Sequence, residues 1–249
     1  MQPSTIQKLL DLNHQFYQTF ALPFSSTRLR LQPGVRKLIP CLLEARAILD
    51  LGCGNGELAL SLFQAGFQGG YCGLDFSAAL LEIANQRLLS EDEIHSRNVI
   101  LKQTDISRES WVVGLELLTF DWVVAFAVLH HIPGEETRLR LLRQVADILR
   151  RGGGSGGFIQ SNWQFLNSAR YRGRVVEWGQ IGLSRDEVEE GDYLLDWREG
   201  GRGLRYVHHF SEGELAALAV QAGFRVVESF YSDGREGNLA NYQVWELSR

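Results

Sequence analysis

The chain has 249 residues, 45% of them hydrophobic and 10% aromatic, and a formal net charge of −5. That length holds one large domain, or one domain with an insertion, and the composition is that of a globular protein with a substantial core. No apolar run approaches the ~18 residues of a membrane span, the start lacks the basic-then-apolar pattern of a signal peptide, and the acidity argues weakly against a large nucleic-acid footprint.

The first segment, about 4–20, has helical spacing in Ile6, Leu9, Leu10, Leu12 and Phe16. "PGVRKLIPCLLEA" predicts a second helix with Pro33 near its start, where a missing N–H does little harm. The pattern then changes. "AILDLG" is a short apolar run ending in glycine, as a buried strand should be, and a helix is expected from about Glu57 to Ala65. "GGYCGLDF" predicts a second strand, "SAALLEIANQRLL" a helix capped by Ser77, "NVILKQTD" a third strand and "FDWVVAFAVL" a fourth. "GEETRLRLLRQVADILR" is a long amphipathic helix that stops at the glycine cluster "RRGGGSGGF", and "GGFIQSNW" is a fifth strand. After Trp163 the alternation breaks until about residue 210, too far for a plain connection. It resumes with the helix "SEGELAALAVQAG", capped by Ser211 and closed by Gly223, and two strands, "FRVVESFYS" and "NYQVWEL".

This order predicts an α/β fold: a doubly wound, seven-stranded, mostly parallel sheet with helices on both faces and an antiparallel hairpin at its edge. The expected division is a single domain over 1–249. It comprises a helical cap (1–44), a cofactor-binding core (45–163), a substrate-side insertion (164–210) and a closing helix with a strand pair (211–249). Cys41, Cys53 and Cys72 show no CxxC spacing and are read as reduced, buried thiols of a cytoplasmic protein.

"ILDLGCGNGEL", residues 48–58, runs a strand into Asp50 and then alternates Gly52, Gly54 and Gly56. Glycine there permits positive φ and lets backbone N–H groups approach a ligand. Such a loop is the first crossover of a doubly wound sheet, where ligands bind. The next strand ends in Asp75, whose carboxylate can bind both hydroxyls of a ribose. A dinucleotide-binding protein would share those two features. The GxGxG form, the "TDI" ending the third strand and the "FDWVVAFAVLHHI" of the fourth separate the readings. Together they resemble class I S-adenosylmethionine-dependent methyltransferases over about 45–163, with a Rossmann-like fold. The resemblance implies S-adenosyl-L-methionine as cofactor and S-adenosyl-L-homocysteine as product. It implies a cofactor set of Asp50, Gly52, Gly54, Gly56, Asp75, Phe76, Asp105, Ile106, Phe126 and His131, with Arg28 and Tyr17 from the cap. His131 is also a candidate cap for the helix after Pro133. A metal at the His130–His131 pair would need further converging ligands, and none is expected.

The flanks "FYQTFALPFSSTRLRLQPGVRKLI" and "GDYLLDWREGGRGLRYVHHFSEGEL" resemble the tRNA wobble-uridine methyltransferases that esterify 5-carboxymethyluridine. Here Pro23 stands where that family commonly has histidine, Gln32-Pro33 replaces Trp-Pro, Asp196-Trp197 replaces Pro-Trp, and the tail is longer. The match at "RYVHHF" falls on Arg205, Tyr206 and His208, which become the candidate catalytic residues. Arg28, Trp163, Trp197, Arg205 and His208 are the candidate substrate contacts, and Trp178 is a further ring able to stack a base. His209 is read as packing or surface. A carboxylate with a reference pKa near ~4 needs no general base. It needs arginines and aligned, dry surroundings.

The expected partners are tRNA and a small zinc-binding activator protein, with no membrane. Two rivals stay open at this point: a small-molecule O- or N-methyltransferase, and a non-catalytic S-adenosylmethionine-binding protein or partner subunit.

Overall fold

Residues 1–27, 29–90, 99–153 and 156–248 are described by the computed structural model. Among them lie ten strands: β1 (Ala47–Leu51), β2 (Gly70–Asp75), β3 (Val99–Gln103), β4 (Trp122–Phe126), β5 (Gly157–Trp163), β6 (Val175–Val176), β7 (Asp192–Trp197), β8 (Gly203–His208), β9 (Phe224–Ser232) and β10 (Ala240–Leu247). The α-helices are α1 (Pro3–Thr19), α2 (Ala21–Ser26), α3 (Pro33–Leu43), α4 (Glu57–Gln64), α5 (Ala78–Leu89), α6 (Glu135–Arg151), α7 (Ala169–Arg172) and α8 (Glu212–Gln221).

Seven strands form one sheet in the order β3-β2-β1-β4-β5-β10-β9. β1 to β5 run parallel, and β10 is antiparallel to both its neighbours. The expected hairpin therefore forms, but its second strand inserts beside β5 and leaves β9 outermost. Successive residues of β1 point to opposite faces. Leu49 and Leu51 join a core with Trp111, Leu142, Leu149 and Trp245, while Ile48 joins one with Leu62, Phe63, Tyr71 and Val124. Burial on both faces explains why the central strands read as unbroken apolar runs.

The expected caps hold two helices in place. The Ser77 hydroxyl accepts from the Leu80 N–H at 3.3 Å, and that of Ser211 from the Glu214 N–H at 3.1 Å. His131 does not cap α6. It lies in a 3₁₀ turn, Leu129–His131, and Gly134, at φ +85°, is the residue before the helix.

The break after β5 is filled by a second sheet, in the order β6-β7-β8, both pairs antiparallel. α1 binds it through Asn13. Its amide oxygen accepts from the Tyr206 N–H at 2.9 Å, and its amide nitrogen donates to the carbonyls of Tyr206 and His131 at 3.2 Å. One buried side chain thus joins the cap, the small sheet and the turn after β4. Among the described residues no helix is long and apolar enough to cross a membrane.

Candidate active site

β1 delivers the chain to the glycine loop at the carboxyl end of the sheet. Gly52 has φ +73°, and a Cβ there would stand 2.6 Å from the Val128 side chain. Gly54 has φ +57° with nothing within 4 Å of its missing Cβ, so its backbone is open to a ligand. The loop is tied to β2 by N–H groups of Gly52 and Cys53 donating to the Leu74 carbonyl at 2.7 and 3.0 Å. The Asp75 carboxylate accepts from the Gly54 N–H at 2.9 Å and the Ser77 N–H at 2.8 Å. The Tyr71 hydroxyl donates to the Asp50 carboxylate. Burial raises Asp50 to about 7 and Asp75 to about 6, against downward pulls from those same bonds. Burial also pushes the Cys53 thiol well above its ordinary value, which leaves a poor nucleophile.

From this loop a cavity of about 510 Å³ runs to the small sheet. At the loop end it is lined by Asp50, Gly52, Gly54, Asp75 and Phe76, and beside them by Asp105 and Ile106. Phe126, His131 and Tyr17 line its middle. The Tyr17 hydroxyl lies 2.8 Å from His131 Nε2, and His131 Nδ1 lies 3.2 Å from the Tyr206 carbonyl, so the imidazole is fixed between α1 and β8. Asp105 already accepts from the Ser107 backbone and hydroxyl and from Arg108, and stands 3.6 Å from His14. His14 stacks on Phe76 with ring centroids 4.4 Å apart. The residues present fit a nucleoside-containing cofactor: open backbone at Gly54, a buried carboxylate beyond it and flat apolar surfaces around it.

At the far end stand Trp163, Trp197 and Arg205. The Arg205 guanidinium lies 4.8 Å from the ring centroid of Trp163 and 5.4 Å from those of Trp197 and Phe16. Arg205 is buried, so this cation is held away from bulk water by three aromatic faces. Arg170, Tyr171 and Arg174 line the same end.

The sequence reading missed several of these residues. Asn13 carries a readable signal, a polar residue on the otherwise apolar stripe of α1. Ala127, at φ +58°, follows β4 in a left-handed conformation that nothing in its residue type announces.

Three of the expected residues, Gly56, Tyr206 and His208, are not brought to the cavity wall. Gly56 has φ +74° and packs against Ala84 at the start of α4. Arg28 lies outside the described residues. Tyr206 and His208 are corrections: their side chains point into a separate buried cluster. The Tyr206 hydroxyl donates to Asp192 at 2.7 Å, and His208 bonds Asp192 at 2.6 Å and Glu214 at 2.8 Å. The physical reason is strand alternation, which puts Arg205 on one face of β8 and Tyr206 and His208 near the other elements. Trp178 is likewise core, packed with Leu9 and Leu194. Glu189, Asp192 and His208 bring ligand atoms within 4.8 Å of one another. Arg138 already lies 2.8 Å from Glu189 and 3.6 Å from Glu214, so a metal cation there would meet a resident positive charge.

Residues 49–155 match the family model described as a methyltransferase domain. The tRNA (carboxymethyluridine(34)-5-O)-methyltransferase of Schizosaccharomyces pombe is 27% identical over 88% of this chain and 90% of its own length. The Arabidopsis thaliana protein of the same name is 29% identical over 56% of this chain and 30% of its own length. A solved S-adenosylmethionine-dependent methyltransferase from Methanosarcina mazei superposes with a TM-score of 0.62 and 23% identity, covering 88% of this chain and 99% of that one. The glycopeptide N-methyltransferase MtfA, solved with S-adenosyl-L-methionine, gives 0.56 and 17%, covering 81% and 86%.

Proposed function

We propose that this chain, an S-adenosylmethionine-dependent methyltransferase, esterifies the carboxylate of a 5-carboxymethyl-type uridine at the wobble position of tRNA. One observation carries the reading. A single cavity joins the glycine loop to a buried arginine ringed by Trp163, Trp197 and Phe16, which suits a planar base bearing a carboxylate. The cofactor, when bound, supplies an electrophilic methyl group. Asp75 would hold its ribose, Asp50 and the Gly52–Gly54 backbone its amino-acid part, and Phe76, Asp105 and Ile106 its adenine.

The acceptor oxygen is already anionic, so no side chain has to remove a proton. Arg205 would orient the carboxylate through its fork of donors, and Trp163 or Trp197 would stack the base. Tyr17 and His131, fixed to each other, would close the middle of the cavity against water. Arg170 and Arg174, paired with Glu199 at 3.3 Å and Asp196 at 3.9 Å, line the outer end, where exchange of those carboxylates for phosphate would hold the tRNA backbone. In this scheme 45–163 binds cofactor, 164–210 binds acceptor, 1–44 caps the site and 211–249 completes the sheet. The three free cysteines, with Cys53 and Cys72 buried as expected and Cys41 exposed against expectation, fit a reducing, cytoplasmic setting. A small zinc-binding activator is the proposed protein partner.

Net acidity and the altered Pro23, Gln32 and Asp196 positions favour a small-molecule O- or N-methyltransferase as the second reading. Binding of unmodified tRNA separates the two. Affinity falling steeply with salt supports the tRNA reading, since released counterions set that slope. Salt-insensitive binding of a small carboxylic acid, with no tRNA binding, supports the second.

A further inference from the structure

His208 contributes nothing to the cavity wall, yet it stands at the end of the strand that carries Arg205. Its Nδ1 lies 2.6 Å from Asp192 on β7, and its Nε2 lies 2.8 Å from Glu214 on α8. Both partners are carboxylates, which when ionised accept and do not donate. With an acceptor facing each ring nitrogen, the arrangement suits an imidazolium, which donates from both. Every packed element presents a charge or a polar group to it. β7 offers Asp192, α8 offers Glu214, α6 offers Arg138, the turn before β7 offers Glu189, and β8 itself offers Tyr206 and His209. The ring also meets Phe210 edge-on, with centroids 4.5 Å apart, and a Cβ at Gly191 would stand 2.9 Å from it. This is a filled, close-fitting socket joining the small sheet to α6 and α8.

We propose that His208 is a positioning residue: its imidazolium, gripped by Asp192 and Glu214, latches β8 to the core and so sets Arg205 at the acceptor end of the cavity. Strand register connects the two ends. Asp192 pairs with His208 and Leu195 with Arg205 across β7 and β8, so releasing the His208 end frees the segment that places the guanidinium. Loss of the ring's second proton removes one of the two grips. Burial alone would lower the basicity of His208, but the bonds to Asp192 and Glu214 outweigh it and raise it above 6.5. A raised basicity means that the latch is complete below pH 6.5 and is lost as pH rises through the higher folded value.

The test is His208→Gln, which keeps a hydrogen-bonding amide but cannot ionise, with Glu214→Gln as the second variant. The kinetic arm rests on the acceptor proposed above. With tRNA acceptor and saturating cofactor, His208→Gln raises the acceptor KM about tenfold, the size of one lost charged bond, while cofactor Kd stays within about twofold. The wild-type kcat/KM shows an alkaline limb that His208→Gln abolishes and Glu214→Gln moves to lower pH. The melting arm needs no acceptor. Wild-type Tm falls across the same alkaline range, and that of His208→Gln does not. If the wild type methylates no tRNA but this melting pattern holds, the acceptor reading fails and the latch stands. An unchanged alkaline fall in the variants' melting, or equal losses of cofactor and acceptor binding, overturns the latch.

Discussion

Replacing Arg205 by alanine removes a cation that the structure buries among three aromatic rings at the far end of the cavity. Its guanidinium is 4.8 Å from Trp163 and 5.4 Å from Trp197 and Phe16. A charged hydrogen bond to an acceptor carboxylate contributes about 1.5–3 kcal/mol. Taking ~3 kcal/mol for a forked pair, kcat/KM for the acceptor should fall roughly a hundredfold. The lost ring contacts should also lower stability, by about 1–2 kcal/mol. Arg205→Lys separates charge from geometry. It keeps the cation over the rings but loses the planar fork, so kcat/KM should fall only about tenfold. The assay is initial-rate methyl transfer at saturating cofactor, with cofactor Kd measured by calorimetry on the same samples. A change below threefold in the alanine variant, or a loss of cofactor affinity as large as the loss of kcat/KM, refutes the reasoning.

Gly52→Ala forces a side chain into positive φ and onto Val128 at 2.6 Å. Stability should drop by about 1–3 kcal/mol in denaturant titration and cofactor binding should vanish. Wild-type values for both would show that the loop is not held as described. Asp75→Ala strips acceptors from the Gly54 and Ser77 N–H groups, and cofactor Kd should rise at least about tenfold by calorimetry. Asp50→Asn tests the sign of a buried acid. The folded carboxyl binds its proton more tightly than its ordinary 3.8, up to about 7. Wild-type stability attributable to it therefore declines as pH climbs through that window and levels off above it. In urea titrations at pH 5 and pH 8 the Asn variant should lack this decline, on the order of a few kcal/mol at most. Parallel pH curves for the two proteins would contradict the assignment.

The seven-stranded sheet was legible because strands buried on both faces read as apolar runs and because Ser77 and Ser211 announce their helices. Strand order was only partly legible. Nothing in "NYQVWEL" says that it enters between β5 and β9 instead of lying outside. The small sheet was missed because β6 is two residues long and β7, "DYLLDW", carries charges at both ends of its pattern. α2 was missed for a similar reason, since "ALPFSS" is poor in strong helix formers. The cofactor loop could be read from its glycine spacing only together with Asp75, the "TDI" after the third strand and the fourth strand that follow it. Tyr206 and His208 could not be placed, because the side they face depends on Asp192 and Glu214, which sequence order does not bring near them.

The most direct measurement is transfer of labelled methyl from S-adenosylmethionine to bulk tRNA lacking the modification, with and without a zinc-binding activator, followed by digestion to nucleosides. The account predicts a labelled, base-labile ester on a wobble uridine. Cofactor binding with no label in tRNA under either condition, and label instead in a small-molecule acid or amine, would contradict it.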